Sequence, residues 1–233
     1  MTVYYAIGDV HGEKAKLDQL LAYIRDDATA YSCPHKIVFV GDLIDRGSDS
    51  RAVVDTVMRL NTEEDAIVIR GNHEELMLHA IDHDESVGIY WWATNGGDET
   101  IQSYQRANGP KDNWRHAIDA THLTWLRTLP TMHRDEERGL VFVHGGIDPK
   151  TFPNETDELR MWTRSEKFFK SSRWPDRPEL KDILVVHGHT PTEDFEPDVQ
   201  PRRINVDTGA CFGGPLTTVV LAPNEKPRFL RAR

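Results

Sequence analysis

One design is repeated five times along this chain and limits what it can fold into. An apolar run rich in β-branched residues stops, and a cluster led by glycine or histidine follows at once. The clusters are GDVHG (8–12), GDLIDRG (41–47), GNHE (71–74), HGG (144–146) and HGHTP (187–191). The runs before them, Val3–Ile7, Ile37–Val40, Ala66–Ile69, Leu140–Val143 and Ile183–Val186, read as buried strands. Ala15, Leu17, Leu20, Leu21 and Ile24 keep helical spacing over 13–28, and 52–60 reads as helical again. Strands alternating with helices predict an α/β architecture. In open α/β sheets, ligands collect beyond the carboxyl ends of the strands, so the clusters are expected to share one rim.

Residues 74–130 break the alternation. They carry Trp91, Trp92, Trp114 and Trp125 on helical patterns, interrupted by Asn95-Gly96-Gly97 and Asn108-Gly109-Pro110. This stretch is expected to be a helical insertion covering one side. Residues 168–178 read as a surface loop, and further strands are expected at Arg203–Val206 and Leu216–Leu221. With no internal repeat, low-complexity tract or linker, residues 1–233 are expected to form one domain.

Composition narrows the partners. Hydrophobic residues make up 38% and charged residues 28%, as in a soluble globular protein. A formal charge of −10 argues against generic nucleic-acid binding, which needs surplus Lys and Arg. No apolar stretch approaches the roughly 20 residues of a membrane helix, and the start MTVYYAIGDVHG has no signal-peptide pattern. The expectation is a cytoplasmic monomer with neither a membrane nor a nucleic-acid partner. Cys33 and Cys211 lie far apart with no CxxC, so free thiols are expected and a structural zinc site is not.

The clusters carry chemistry as a set. Asp9, His11, Asp42, Asn72, His144 and His189 offer carboxylate, imidazole and amide donors without sulfur, a mix suited to Mn²⁺, Fe or Zn²⁺. It is also the mix expected of two adjacent ions bridged by one carboxylate. Each residue alone has a plainer reading, Asp9 or Asp42 as a helix N-cap, a histidine as an ordinary polar residue, Asn72 as a turn residue. Five consecutive coincidences are not what those readings predict.

In this order, GDVHG, GDLIDRG, GNHE, HGG and GHT resemble the phosphoprotein phosphatase branch of the metallophosphoesterases, from about Ile7 to Leu221. WWATNGGDETIQSY and the compact length look more like its bacterial and phage serine/threonine phosphatases. The resemblance implies a calcineurin-like α/β fold, two mixed β-sheets in a sandwich flanked by helices. It implies that Asp9, His11 and Asp42 hold one divalent ion, most readily Mn²⁺, and that Asp42, Asn72, His144 and His189 hold a second. His73 then matches the general acid, kept charged and aimed by Asp45, while Arg46, Asn72 and Arg164 take the phosphate. Arg164, in the W-x-R pattern Trp162–Arg164, is preferred to Arg160. His187 is expected to be structural or to support the ligands, and Cys211 to be an inert buried thiol, though it falls near the site. His35, His79, His83, His116, His122 and His133 read as surface or packing residues.

The activity implied is dephosphorylation of phosphoserine or phosphothreonine, with phosphotyrosine also open, in a protein or peptide partner by a metal-bound hydroxide. A dinucleoside tetraphosphate hydrolase is the alternative. That group's second motif carries a small residue where this chain has Asp45, which favours the phosphatase. A catalytically dead phosphopeptide-binding module ranks below both, because all six ligands and His73 are present.

Overall fold

A computed structural model describes residues 2–83 and 86–233. Two five-stranded mixed sheets pack face to face, as expected. The first has the order β10 (Arg228–Ala232), β9 (Leu216–Leu221), β1 (Val3–Ile7), β2 (His35–Phe39), β3 (Ile67–Val68). The second has the order β4 (Met132–Asp135), β5 (Leu140–Val143), β6 (Leu184–His187), β8 (Arg203–Asn205), β7 (Asp198–Gln200). Strands β1, β2 and β3 run parallel, as do β5, β6 and β8.

Both faces of β1 are buried, and its period of two separates them. Tyr4 and Ala6 join Val38, Val40, Phe142, Val186, Ile204 and Val219 between the sheets. Val3, Tyr5 and Ile7 face the helical layer, where Leu17, Leu20, Leu21 and Ile24 of α1 (Lys14–Ala28) and Val53, Val54, Val57 and Leu60 of α2 (Ser50–Glu63) pack. Helices α1 and α2 therefore spend their apolar stripes on the first sheet, and the sheets spend their inner faces on each other.

The helical stretch begins at Asn72, two residues before the expected start. It comprises α3 (Asn72–Asp82), α4 (Ser86–Trp92), a kinked turn at Ala93–Gly97 with Gly96 at a φ of 97°, α5 (Asp98–Asn108) and α6 (Ala120–Thr128). The expected strands are all present, with Val3–Ile7, Leu140–Val143 and Leu216–Leu221 at the expected bounds and the others shifted by one or two residues. Three further strands, β4, β7 and β10, were not expected, and each is a sheet edge. The stretch 168–178 is not a surface loop. It carries part of α8 (Glu166–Phe169), after α7 (Asp157–Trp162), and two short 3₁₀ turns follow. Phe168 and Trp174 are buried with Phe152, Leu180 and Val185 on the outer face of the second sheet. Trp91 and Trp162 are exposed, whereas Trp92 is fully buried.

The inter-sheet core rests heavily on Phe142, fully buried with its ring 5.3 Å from that of Tyr4. Phe142→Ala is expected to lower unfolding free energy by about 3–5 kcal/mol, measured by denaturant titration.

Candidate active site

The five clusters meet at the carboxyl ends of the parallel strands, where the two sheets come together. Backbone hydrogen bonds stitch the first two: the amides of Val10 and His11 donate to Asp42 O at 3.0 and 2.9 Å, and the Gly47 amide donates to His11 O at 3.0 Å. Room is so tight that a Cβ on Gly188 would lie 1.9 Å from Asp9 Oδ1, and one on Gly71 would lie 2.2 Å from Asp42 Oδ1. His11, Asp42, Asp45, Arg46 and His189 all have positive φ, between 44° and 73°. Left-handed backbone at non-glycine residues persists where the surroundings over-determine it, commonly at functional sites.

Asp42 Oδ2 is the hub. It lies 3.2 Å from His144 Nε2, 3.6 Å from His11 Nε2 and 3.9 Å from His73 Nε2. His11 Nδ1 meets Ile44 O at 2.8 Å and His144 Nδ1 meets Val40 O at 2.9 Å. A protonated Nδ1 donates in each of these contacts, which turns Nε2 toward Asp42. Asn72 Oδ1 sits 2.8 Å from His144 Nε2 and 2.7 Å from His189 Nδ1.

Among the described residues, two groups present donor atoms within 4.8 Å of one another: His11, Asp42 and His73, and Asp42, His144 and His189. Asp42 is common to both. Asp9 belongs to neither, although it is close. Its Oδ2 accepts the His189 amide at 2.9 Å, and its Oδ1 is buried without a hydrogen-bond partner. The structure thus brings together Asp9, His11, Asp42, Asn72, His73, His144 and His189, but puts His73 rather than Asp9 in the first group.

This arrangement fits divalent cations. A buried orphan carboxylate oxygen is a group waiting for a ligand, and the donors are of the right hardness. Charge points the same way. Burial, then Asp207 and Asp42, push the Asp9 carboxyl well above its usual range. Burial and Asp42 likewise hold Asp207 up at about 6. The Asp42 carboxyl is held well below the usual range, because His144 and His73 outweigh the cost of its burial.

The His73 imidazole is anchored from behind. Its Nδ1 meets Asp45 Oδ2 at 2.7 Å. Burial opposes charge on His73, but the Asp42 carboxylate and the Asp45 hydrogen bond prevail and raise its pKa. Asp45 is itself gripped by the helical stretch. Trp92 Nε1 donates to both its oxygens at 3.0 Å, and Thr100 Oγ1 donates to Oδ1 at 2.7 Å. Arg46 Nη1 lies 2.6 Å from His11 Nε2 and Nη2 lies 3.0 Å from His73 Nε2. A cavity of about 190 Å³ opens over Asp42, Arg46, Asn72, His73, Asn95, Trp162, Arg164 and His189. Arg164 reaches it, with Nε 3.2 Å from His189 Nε2. Arg160 does not, being tied to Asp157, Glu155 and Pro153 O.

His187 is buried beside Phe168 and Phe169, with Arg203 Nη1 3.3 Å from its Nε2; burial and that arginine push its pKa down to about 3. It is a structural residue. Cys33 and Cys211 are free thiols, each half-buried, so Cys211 is less deeply buried than expected. His122 is a buried packing residue, bonded to Tyr104 Oη at 2.8 Å and Asp55 at 3.0 Å.

Sequence reasoning passed over several residues here. Glu74, in the quoted GNHE, is fully buried and accepts the amides of Asp42, Leu43, Ile44 and Gly71 at 2.8–3.4 Å. Its place three residues after a helix-start glycine was a readable capping signal. Asp207 follows strand β8 just as Asp9 follows β1, so the strand-end rule could have found it. Trp92 and Thr100 carried no such signal, since they reach Asp45 from 47 and 55 residues away.

Residues 3–214 match the calcineurin-like phosphoesterase family, and the chain belongs to it. It is a metal-dependent phosphoesterase hydrolase, and the family implies divalent ions at the site just described. Two curated relatives carry the name asymmetrical bis(5'-nucleosyl)-tetraphosphatase PrpE. That of Anoxybacillus flavithermus is 27% identical over 93% of this chain and 89% of its own length. That of Geobacillus sp. is 30% identical over 91% of this chain and 87% of its own. Among solved structures, a cold-active protein tyrosine phosphatase shares the fold at a TM-score of 0.66 and 20% identity, over 98% of this chain and 75% of that one. The family expected from the motifs is therefore shown at the superfamily level. Among the described residues, no helix is long and apolar enough to cross a membrane.

Glu74→Gln keeps the shape but turns an NH₂ toward backbone donors. It is expected to cost about 2–4 kcal/mol of stability by denaturant titration and to weaken divalent-ion binding by calorimetry.

Proposed function

We propose that this protein hydrolyses dinucleoside tetraphosphates, splitting one P–O–P bridge with water to give two nucleotides. The observation that carries the reading is the shared name of relatives aligned over more than nine-tenths of the chain. The site's chemistry is compatible with it, since hydrolysis of a phosphoanhydride and of a phosphomonoester both bring water to a phosphorus centre while an oxygen leaving group departs.

In this reading two divalent ions are held, one by His11 and Asp42 with Asp9 alongside, the other by Asp42, Asn72, His144 and His189. Mn²⁺, Fe and Zn²⁺ all accept these donors. When bound, such ions supply Lewis-acid polarisation of a phosphoryl oxygen and of water. The protein does the rest. Asp42 neutralises charge on both sides of the site. Arg46 leaves the two histidine nitrogens and forks onto phosphoryl oxygens together with Arg164, as guanidinium geometry favours. Asn72 fixes the phosphate by its amide. His73, held by Asp45, gives its Nε2 proton to the oxygen that departs.

A second reading is supported by one feature. The Asp45–His73 pair at 2.7 Å supplies an aimed acid, which an alkoxide leaving group needs most. Dephosphorylation of phosphoserine, phosphothreonine or phosphotyrosine in a peptide would use the same residues.

Initial rates of Mn²⁺-loaded protein on diadenosine tetraphosphate and on a phosphoserine peptide, with an EDTA control, separate the two. Faster EDTA-sensitive cleavage of the dinucleotide is expected, and the reverse order would establish the second reading. His73→Asn is expected to lower kcat on alkyl phosphates by about 10²–10⁴-fold. The loss on aryl phosphates, which leave more readily, is expected to be smaller, and equal losses would remove His73 as the acid.

A further inference from the structure

Exposed aromatic rings are not spread evenly over this molecule. Among the described residues they are Tyr23, Tyr90, Trp91, Trp162, Phe195 and Phe212. One of them lines the cavity and a second leans on one of its lining residues. Trp162, 41% exposed, lines it, with its ring edge-on to His189 at 6.1 Å. Phe212, 56% exposed, lies with its ring 5.2 Å from the guanidinium carbon of Arg46, another lining residue. Phe195 borders the same loop as Phe212, since a Cβ on Gly209 would meet the Phe195 ring at 3.0 Å and Phe212 Cβ at 3.8 Å. Trp162 ends α7 on the Arg164–His189 side. Phe212 lies in the turn after β8, on the side where Arg46 faces His11 and His73. Two exposed aromatic rings from different parts of the chain therefore flank the lining, Trp162 against His189 and Phe212 against Arg46.

The cavity's size sharpens this. At about 190 Å³ it has room for phosphoryl groups, whereas sites that enclose a whole organic ligand run to roughly 300–1,000 Å³. A nucleoside attached to a phosphate held there must lie at the mouth, where the rings are. Aromatic faces take any base, because every base has a π-face. They also add attraction that charge cannot, on a chain whose net charge of −10 repels a polyphosphate at long range.

We propose that Trp162 and Phe212 are base-stacking platforms on the two sides of the phosphate cavity, holding the nucleosides of a dinucleoside polyphosphate. This rests on the tetraphosphatase reading above, and makes these two residues determinants of its specificity for nucleotides over other phosphate esters.

The test compares two inhibitors that differ only in the base. AMP and ribose 5-phosphate are titrated against hydrolysis of p-nitrophenyl phosphate by the Mn²⁺-loaded wild type, Trp162→Ala, Phe212→Ala and the conservative Trp162→Phe. In the wild type AMP is expected to bind roughly 5- to 150-fold more tightly than ribose 5-phosphate, the range of one stacking contact. Each alanine variant is tested for a fall in that ratio of at least about 5-fold at one of the two positions, with Trp162→Phe restoring most of it. A disturbed Arg46 or His189 would weaken both inhibitors alike and leave the ratio untouched, so a structural role is separated from stacking. A wild-type ratio near one, or a ratio that survives both alanine variants, overturns the proposal. Failure of the tetraphosphatase reading shows independently, as peptide cleaved in preference to diadenosine tetraphosphate, and the inhibitor ratio still decides whether the rings hold a base.

Discussion

Asp42 carries one carboxylate oxygen to a buried point where three imidazole nitrogens stand within 3.9 Å of it. Asp9, Glu74 and Asp207 are buried around the same point. Two unit charges about 4 Å apart interact by about 4 kcal/mol at an effective dielectric near 20, several times the worth of an ordinary hydrogen bond. Acids so placed need opposite charge. Histidines, arginines and divalent ions are the means this site has for supplying it. The fold's main task is to keep the acids from separating.

The sandwich does this through geometry. Parallel strands bring their carboxyl ends to one rim, and the loops leaving them are tied by backbone bonds between the first and second clusters. Glu74 clamps the second loop by the amides of Asp42, Leu43 and Ile44 and its own turn by that of Gly71, although burial and Asp42 raise its pKa to about 7. The left-handed residues in these loops are strained, and the packed layers on both faces of the first sheet hold them there. Trp92 and Thr100 extend the same support to Asp45 from the helical stretch. That stretch is thereby part of the site rather than a cover over it.

The relatives' name and the site's geometry pull on different features. The candidate donors for phosphoryl chemistry sit in the strand-end clusters, and they serve both proposed readings alike. In the reading proposed here, substrate choice falls to Arg46, Arg164, Trp162 and Phe212, in or against the cavity lining. Asp45, read from the motifs as a mark of a protein phosphatase, is here a well-bonded support for His73, a role that serves either leaving group.

Central strands were readable in the sequence because both their faces are buried, so their apolar runs are continuous. Edge strands β4, β7 and β10 were not, because half-exposed edges such as MHRD, DVQ and RFLRA mix charge with apolar residues. The site's donors were readable because local order places them: a glycine or histidine follows the end of each apolar run, and the polar donors lie there or within a few residues. The sequence by itself therefore determined the sandwich, the rim and the donor set. Only the tertiary structure decided that His73 rather than Asp9 stands in the first donor group, that Trp92 and Thr100 hold Asp45, that Glu74 clamps the second loop, and that the exposed Trp162 and Phe212 rings stand against His189 and Arg46. Those are contacts between residues tens of positions apart, and no local periodicity encodes which distant side chain a loop will meet.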